Sequence, residues 1–344
     1  MLKRVIAVVT IAVVVVLFAS TAKYLQHQWQ QPLKIDAEGY HLVIGSGQTL
    51  RSVVAKLEAD GIYQNGWMLS RYGRWTGLDQ QIKRGEYLVP TGTTPVALLR
   101  LLQQGKVIRY QVTLPEGITV VKALQILAQN AELEHELSGV DDEKLKTLTR
   151  SRASAEGLFF PDSYQFERGA SDWDVLSRAH AAMTVILEEE WQGREEELPY
   201  KNAYEALIMA SIVERETGQP AEREESAGVF VRRMNKGMRL QTDPTVIYGL
   251  GETFDGNLRR EHLRDDNNVY NTYRHKGLPP TPIALPGRAA IHAALHPNQG
   301  ASLYFVAKGD GGHYFSESLA EHQAAVRKYQ LQRRQDYRSS PAKQ

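Results

Sequence analysis

The sequence predicts an α+β protein: a single N-terminal transmembrane helix, a small α+β module and a larger mixed α/β domain. Three observations carry that prediction. They are an uncharged apolar run at the start, a strand–turn–helix pattern repeated up to residue 128, and helical periods broken by Gly- and Pro-rich loops from residue 156 onward. A chain of 344 residues has room for more than one domain. The expected divisions are a cytoplasmic start and anchor (1–22), a polar tether (23–39), the module (40–128), a charged helical bridge (129–155) and the large domain (156–344).

Composition removes several classes of function. Lys and Arg number 41 against 40 Asp and Glu, and this balance lacks the basic excess of a chain that tracks phosphates, so no nucleic-acid partner is expected. Cysteine is absent, which excludes disulfides, zinc–thiolate sites, a cysteine nucleophile and a lipid-modified N-terminal cysteine.

Lys3 and Arg4 precede an uncharged run from Val5 to Ala22 in which only Thr10, Ser20 and Thr21 are polar. About eighteen residues is the lower limit for a helix crossing a ~30 Å hydrocarbon core. A cleaved secretory signal is the alternative, and Ala19 to Ala22 offers the small residues of such a site. The anchor reading places the cationic flank in the cytoplasm and everything after Lys23 outside the inner membrane, in the periplasm.

The repeat follows. LVIGSGQTLRSVVAKL (Leu42–Leu57), YLVPTGTTPVALLRLL (Tyr87–Leu102) and VTLPEGITVVKALQIL (Val112–Leu127) each run from an extended apolar segment through Gly-x-Thr into a helical period. Gly47, Gly92 and Gly117 suit the tight turn. Thr49, Thr94 and Thr119 suit the N-cap, with Pro95 at the favoured first helical position. The module resembles the LysM-like fold, which implies binding of glycan chains; a spacer that binds nothing is the equal alternative.

Beyond the charged bridge, EGLFFPDSYQF (Glu156–Phe166) gathers aromatics, a proline and an aspartate. Helices are expected at about 172–194, 200–216 and 221–236, then a strand over Leu303–Lys308, a hairpin-like GDGGHYF and a helix from Leu319. The second of these helices ends in SIVERET (Ser211–Thr217). At 100° per residue Met209, Ile212, Val213 and Glu216 share one stripe, while Glu214 lies about 140° from Met209. A carboxyl that prolongs an apolar face has its charged form disfavoured, as a general acid requires near neutrality. Glu216 is therefore the candidate catalytic acid and Glu214 a supporting carboxylate; a solvated helix end is the plainer alternative. Downstream, MRLQTDPTVIYGLG supplies Gln241, Thr242 and Asp243, and YNTYRHKGLPPTPIALPG supplies Tyr270, Asn271 and Tyr273. Proline-stiffened loops of this kind suit a sugar cleft, with aromatic faces against pyranose rings and amides and hydroxyls at their edges. Each loop alone also fits a rigid connection.

SIVERET, RLQTDPTVIYG, YNTY, GLPPTPI and LYFVAKGDGGHYF, in this order, resemble the YceG-like family of endolytic murein transglycosylases, over essentially the whole chain. The resemblance implies cleavage of the MurNAc–GlcNAc β-1,4 bond inside peptidoglycan glycan strands, leaving a 1,6-anhydro-MurNAc end and ending new strands. It implies that Glu216, the second of the E-x-E pair, is catalytic, with Thr217 where many transglycosylases carry Ser. It also implies penicillin-binding proteins and other wall-synthesis enzymes as neighbours. No cofactor is expected, since neither a Gly-x-Gly-x-x-Gly nor a Walker loop is present. His292 and His296 stand i, i+4 like zinc ligands, but Pro297 ends that helix and no HExxH glutamate accompanies them, so no metal is expected. The rival function is a membrane-tethered glycan-binding scaffold that recruits enzymes without cutting.

Overall fold

The computed structural model describes residues 2–149 and 154–331; the expectations for 150–153 and 332–344 lie outside the described residues. The chain forms two compact units. One runs to Tyr110 and includes Gln165–Ala170; the other holds Gln111–Tyr164 and the chain from Ser171 onward.

The first unit contains α1 (Leu2–Gln30), β1 (Tyr40–Ile44), α2 (Leu50–Ala59), α3 (Gly66–Thr76), β2 (Gly85–Val89) and α4 (Pro95–Gln104). Within α1, Val9–Gln30 is long and apolar enough to cross a membrane. The helix continues through Lys23–Gln30, into the stretch expected as a tether, because nothing before Pro32 breaks it. After Pro32 the chain is pinned, since Leu33 is buried and its N–H donates to the Thr93 carbonyl at 2.8 Å. Strands β1 and β2 pair antiparallel, from Tyr40 opposite Val89 to Ile44 opposite Gly85. Leu42, Ile44, Tyr87 and Val89 meet Val53, Leu57, Leu69, Leu98 and Leu102 in one apolar core.

The second unit follows with β3 (Arg109–Thr113), whose start belongs to the first unit, then α5 (Val120–Ala128), α6 (Glu143–Thr149) and β4 (Ser163–Glu167), which pairs with β3 and whose end from Gln165 likewise belongs to the first unit. It continues through α7 (Asp172–Gln192), α8 (Ala203–Glu216), α9 (Arg223–Asn235), α10 (Asp243–Leu250), α11 (Arg288–Leu295), β5 (Tyr304–Ala307), β6 (His313–Ser316) and α12 (Leu319–Val326). Strands β5 and β6 form the expected hairpin.

All three Gly-x-Thr turns are present. Gly47, Gly92 and Gly117 adopt φ of 74°, 81° and 76°, where an L side chain would be strained. The Thr94 and Thr119 hydroxyls accept from the N–H groups of Ala97 and Lys122, each at 3.3 Å. The third repeat lies in the second unit. The Gly117 N–H donates to the Leu285 carbonyl at 2.8 Å, and Arg215 Nη1 donates to the Gly117 carbonyl at 3.0 Å. Of the stretch 129–155, expected to be helical, α6 is the only helix among the described residues. Ahead of it, aspartates compete for the backbone. Asp172 accepts from the N–H groups of Glu136 and Leu137 at 3.0 and 3.3 Å, and Asp142 from that of Ser138 at 3.0 Å.

A charged cluster braces the first unit. Glu86 meets His41 Nδ1 at 2.6 Å and accepts from the Tyr110 hydroxyl and Arg168 Nε, each at 2.5 Å. Its side chain is buried. Desolvation raises its pKa, but hydrogen bonds from Tyr110, Arg168 and His41 outweigh it and pull the value down to about 2. The folded value lies below the ordinary 4.5, so this stabilisation is complete above pH 4.5 and is lost as pH falls toward 2. Glu86→Gln should flatten the acid limb of the unit's unfolding curve, measured by circular dichroism between pH 5 and 2.

Candidate active site

Helix α8 is the centre of the second unit. Asn202 caps it, accepting from the Glu205 N–H at 3.1 Å, and Ala206 through Val213 are all buried. Small residues allow this: Ala206 and Ala210 on α8 and Ala293 and Ala294 on α11 join the same core as Leu207, Phe230, Ile283 and Ile291. The backbone turns extended at Thr217, which leaves Glu214 and Glu216 in the last helical turn.

The two glutamates do different things. Glu214 Oε2 accepts from the Gly287 N–H at 3.0 Å, and Oε1 lies 3.6 Å from Arg223 Nη2, which also stands 3.8 Å from Glu116. It ties the helix end to the Gly287 turn. Glu216 instead accepts from the Thr242 hydroxyl. Solvent reaches part of Glu216, although burial is the main influence on its carboxyl. Burial raises the pKa of both carboxyls; at Glu216 the Thr242 bond opposes this, Asp243 adds to it, and the charges of His313 and Arg233 offset part. The helical wheel expected Glu214 to leave the apolar face. Its side chain is only 7% exposed, because α8 is covered on nearly every side and has no wet face to turn to.

The loop residues converge on Glu216 unequally. Thr242 is 2% exposed and held in place: its N–H donates to Thr272 Oγ1 at 3.1 Å, and its carbonyl accepts from Thr245 Oγ1 at 2.8 Å. Asp243 is exposed at the start of α10 and accepts from the Tyr273 hydroxyl at 2.7 Å. Burial, Asp243 and Glu216 all push the Tyr273 pKa up. Gln241 is exposed, at φ 53°, a strained conformation for a residue other than glycine. Tyr270 turns elsewhere: its hydroxyl is 2.9 Å from Thr281 Oγ1 and its ring packs edge-on to Tyr248 at 4.9 Å. Asn271, expected to line the cleft, is fully enclosed. Its Nδ2 donates to the carbonyls of His262 at 3.1 Å and Asp265 at 2.8 Å, and its Oδ1 accepts from the Tyr273 N–H at 3.0 Å.

The YceG-like family model matches residues 42–328. The chain belongs to the YceG-like family. Relatives agree. It is 29% identical to the endolytic murein transglycosylase of Bacillus subtilis over 87% of each chain. It is 27% identical to that of Streptococcus pneumoniae over 86% of this chain and 59% of the relative. A crystal structure of a YceG-like protein from Listeria monocytogenes shares the fold at a TM-score of 0.54 and 27% identity, covering 84% of this chain and 99% of that one.

Further ionisable residues of this YceG-like chain are held in place by the fold. Arg233 of α9 is buried, with Nε donating to the Leu303 carbonyl at 2.7 Å and Nη1 to the Leu240 carbonyl at 2.7 Å, so its charge is fixed near Glu216. His313 of β6 is oriented by Glu222 through Nδ1 at 2.8 Å. Glu156 is also buried, accepting from the Val120 N–H at 3.0 Å and the Tyr248 hydroxyl at 3.2 Å; burial pushes its pKa up to about 7 despite these bonds. The histidines considered as metal ligands, His292 and His296, stack at 4.2 Å, with Glu190 close to both. Arg288 Nε donates to Glu190 Oε1 at 2.8 Å, and His292 Nδ1 lies 2.8 Å from Oε2. The cluster is an ion-pair network linking α7 to α11, with a fixed cation where a metal would compete.

Proposed function

We propose that this chain is a lytic transglycosylase that cleaves the MurNAc–GlcNAc β-1,4 bond inside peptidoglycan strands and leaves 1,6-anhydro-MurNAc ends. The observation that carries this is the Glu216 carboxyl, kept toward its protonated form by burial at the end of α8 and oriented by Thr242. In this reading Thr242 donates to Oε2, and Oε1 carries the proton to the glycosidic oxygen as the bond breaks through an oxocarbenium-like state. The carboxylate left behind takes the proton of the C6 hydroxyl on the same MurNAc, and that oxygen closes onto C1. No second carboxylate is needed, because the substrate supplies its own nucleophile. Asp243, Tyr273 and Gln241 are proposed to hold the glycan, and Thr242 and Asn271 to hold the machinery.

The remaining assignments are proposed with it. Residues 40–128 are read as a LysM-like module, glycan-binding or a spacer, behind an inner-membrane anchor, with a cytoplasmic N-terminus and a periplasmic active site. Strand termination beside penicillin-binding proteins is the proposed setting.

Mass spectrometry of fragments released from polymeric peptidoglycan by the full chain tests the reaction. Anhydro-terminated products are expected. Ordinary reducing ends would make the protein a hydrolase, and binding without release would make it a scaffold. Glu214→Ala should lose less than about tenfold in rate, against ~10²–10⁴ for a general acid. It should lower stability by about 1–3 kcal/mol, since the Gly287 N–H loses its partner.

A further inference from the structure

We propose that the outer face of α3 lies in the headgroup layer of the membrane that α1 crosses, giving the first unit a second, peripheral membrane contact. The inference rests on the anchor reading of α1. Trp67 is 62% exposed and Trp75 83% exposed, large apolar areas to leave in water. With Arg71 and Arg74 they occupy positions i, i+4, i+7 and i+8, one face of the helix. The opposite face is committed to the core. A Cβ at Gly66 would come 2.2 Å from Val54, and one at Gly73 would come 2.2 Å from Leu50, so α3 sits hard against α2 and cannot roll its tryptophans inward.

The last turns of α1 share this surface. Leu25 and Trp29 line an open hollow of 820 Å³ together with Trp67, Arg71, Tyr72 and Trp75. Trp29 and Tyr72 pack at 5.0 Å, and Asn65 Nδ2 donates to Gln28 Oε1 at 2.9 Å. From Ala22, where the apolar run ends, to Trp29 is about 10 Å along a helix. That is comparable to the ~5–8 Å depth of one headgroup layer. Tryptophan is enriched at this level, and the two arginines suit anionic lipid. Exposed tryptophans also stack on sugars. Yet the hollow's lining holds neither carboxylate nor amide to fix a sugar's hydroxyls, and α1 itself forms one wall.

The chain contains no cysteine, so single cysteines report cleanly. Full-length Trp67→Cys, Trp75→Cys, Val13→Cys and Ser46→Cys, each labelled with an environment-sensitive fluorophore, would be reconstituted in bilayers of phosphatidylcholine and phosphatidylglycerol, with nitroxide lipid at headgroup level to read positions 46, 67 and 75 and deep in the acyl chain to read position 13. Labels at 67 and 75 should be quenched at least about threefold more than at the exposed Ser46, and less without the anionic lipid. A quenched label at 13 with labels at 67 and 75 no more quenched than at 46 overturns the proposal and leaves the anchor intact. An unquenched label at 13 sinks the anchor reading and this one together. Protection at 67 and 75 by soluble glycan strands instead of lipid would make the face a sugar site.

Discussion

Glu216→Gln should abolish release of anhydro-terminated fragments while the protein stays folded. The loss should reach at least the ~10²–10⁴-fold that general acid–base catalysis contributes, because Gln can accept the Thr242 bond but has no proton to give. Stability should be unchanged or improved. The Glu216 pKa is raised by burial, so the folded protein holds its proton more tightly than the unfolded chain. Stability therefore falls as pH climbs above the ordinary value of 4.5, until the folded-state pKa is passed, and Gln removes that penalty. Activity on the alkaline side should fall for the same reason, as the acid loses its proton. Product analysis across pH, beside thermal melts of both proteins, checks all three. A variant that still cuts, or one that is inactive only because it has unfolded, would remove Glu216 from the role.

Asn271→Ala should lower stability by about 3 kcal/mol, although the residue touches no substrate. Two backbone carbonyls lose their donor and one N–H its acceptor, all in an enclosed place, and each unmet group costs about 1 kcal/mol or more. Asn271→Asp should be worse, since a carboxylate would face the carbonyls of His262 and Asp265. Activity should drop with stability, because the loop that carries Thr272 and Tyr273 loses its brace. Denaturant unfolding and rate measurements on the same samples test this. An alanine variant with unaltered midpoint but weakened substrate binding would return Asn271 to the cleft wall.

Much of this was legible in local sequence. Gly47, Gly92 and Gly117 with their threonines announced three turns, because left-handed backbone and N-capping each demand particular residues. The helix ending at Glu216 was also visible, as was the pairing of the QTD and YNTY stretches with it. What local pattern could not show was enclosure. A helical wheel assumes one wet side, and α8 has almost none, so Glu214 was expected to leave the apolar face that in fact covers it. Asn271 looked like a sugar-binding amide because an amide's partners are invisible in sequence; three backbone groups already claim it. Arg233 reaches the site from α9 with no motif of its own, and His313 stands in the GDGGHYF hairpin, whose place near Glu216 local sequence does not show. Pro32, rather than the change to polar composition at Lys23, marks where α1 stops.

One arrangement has a mechanical outcome. Thr272 holds Thr242, and Thr242 holds the acid. A pull on the aromatic loop therefore travels through two hydroxyls to the proton on Glu216. In the proposed role, a glycan that tugs that loop out of register would weaken a bond that favours the ionised carboxyl and leave Glu216 readier to keep its proton; one that seats the loop firmly would make it readier to let go. Grip on the sugar and strength of the proposed acid would thus be adjusted by the same short relay.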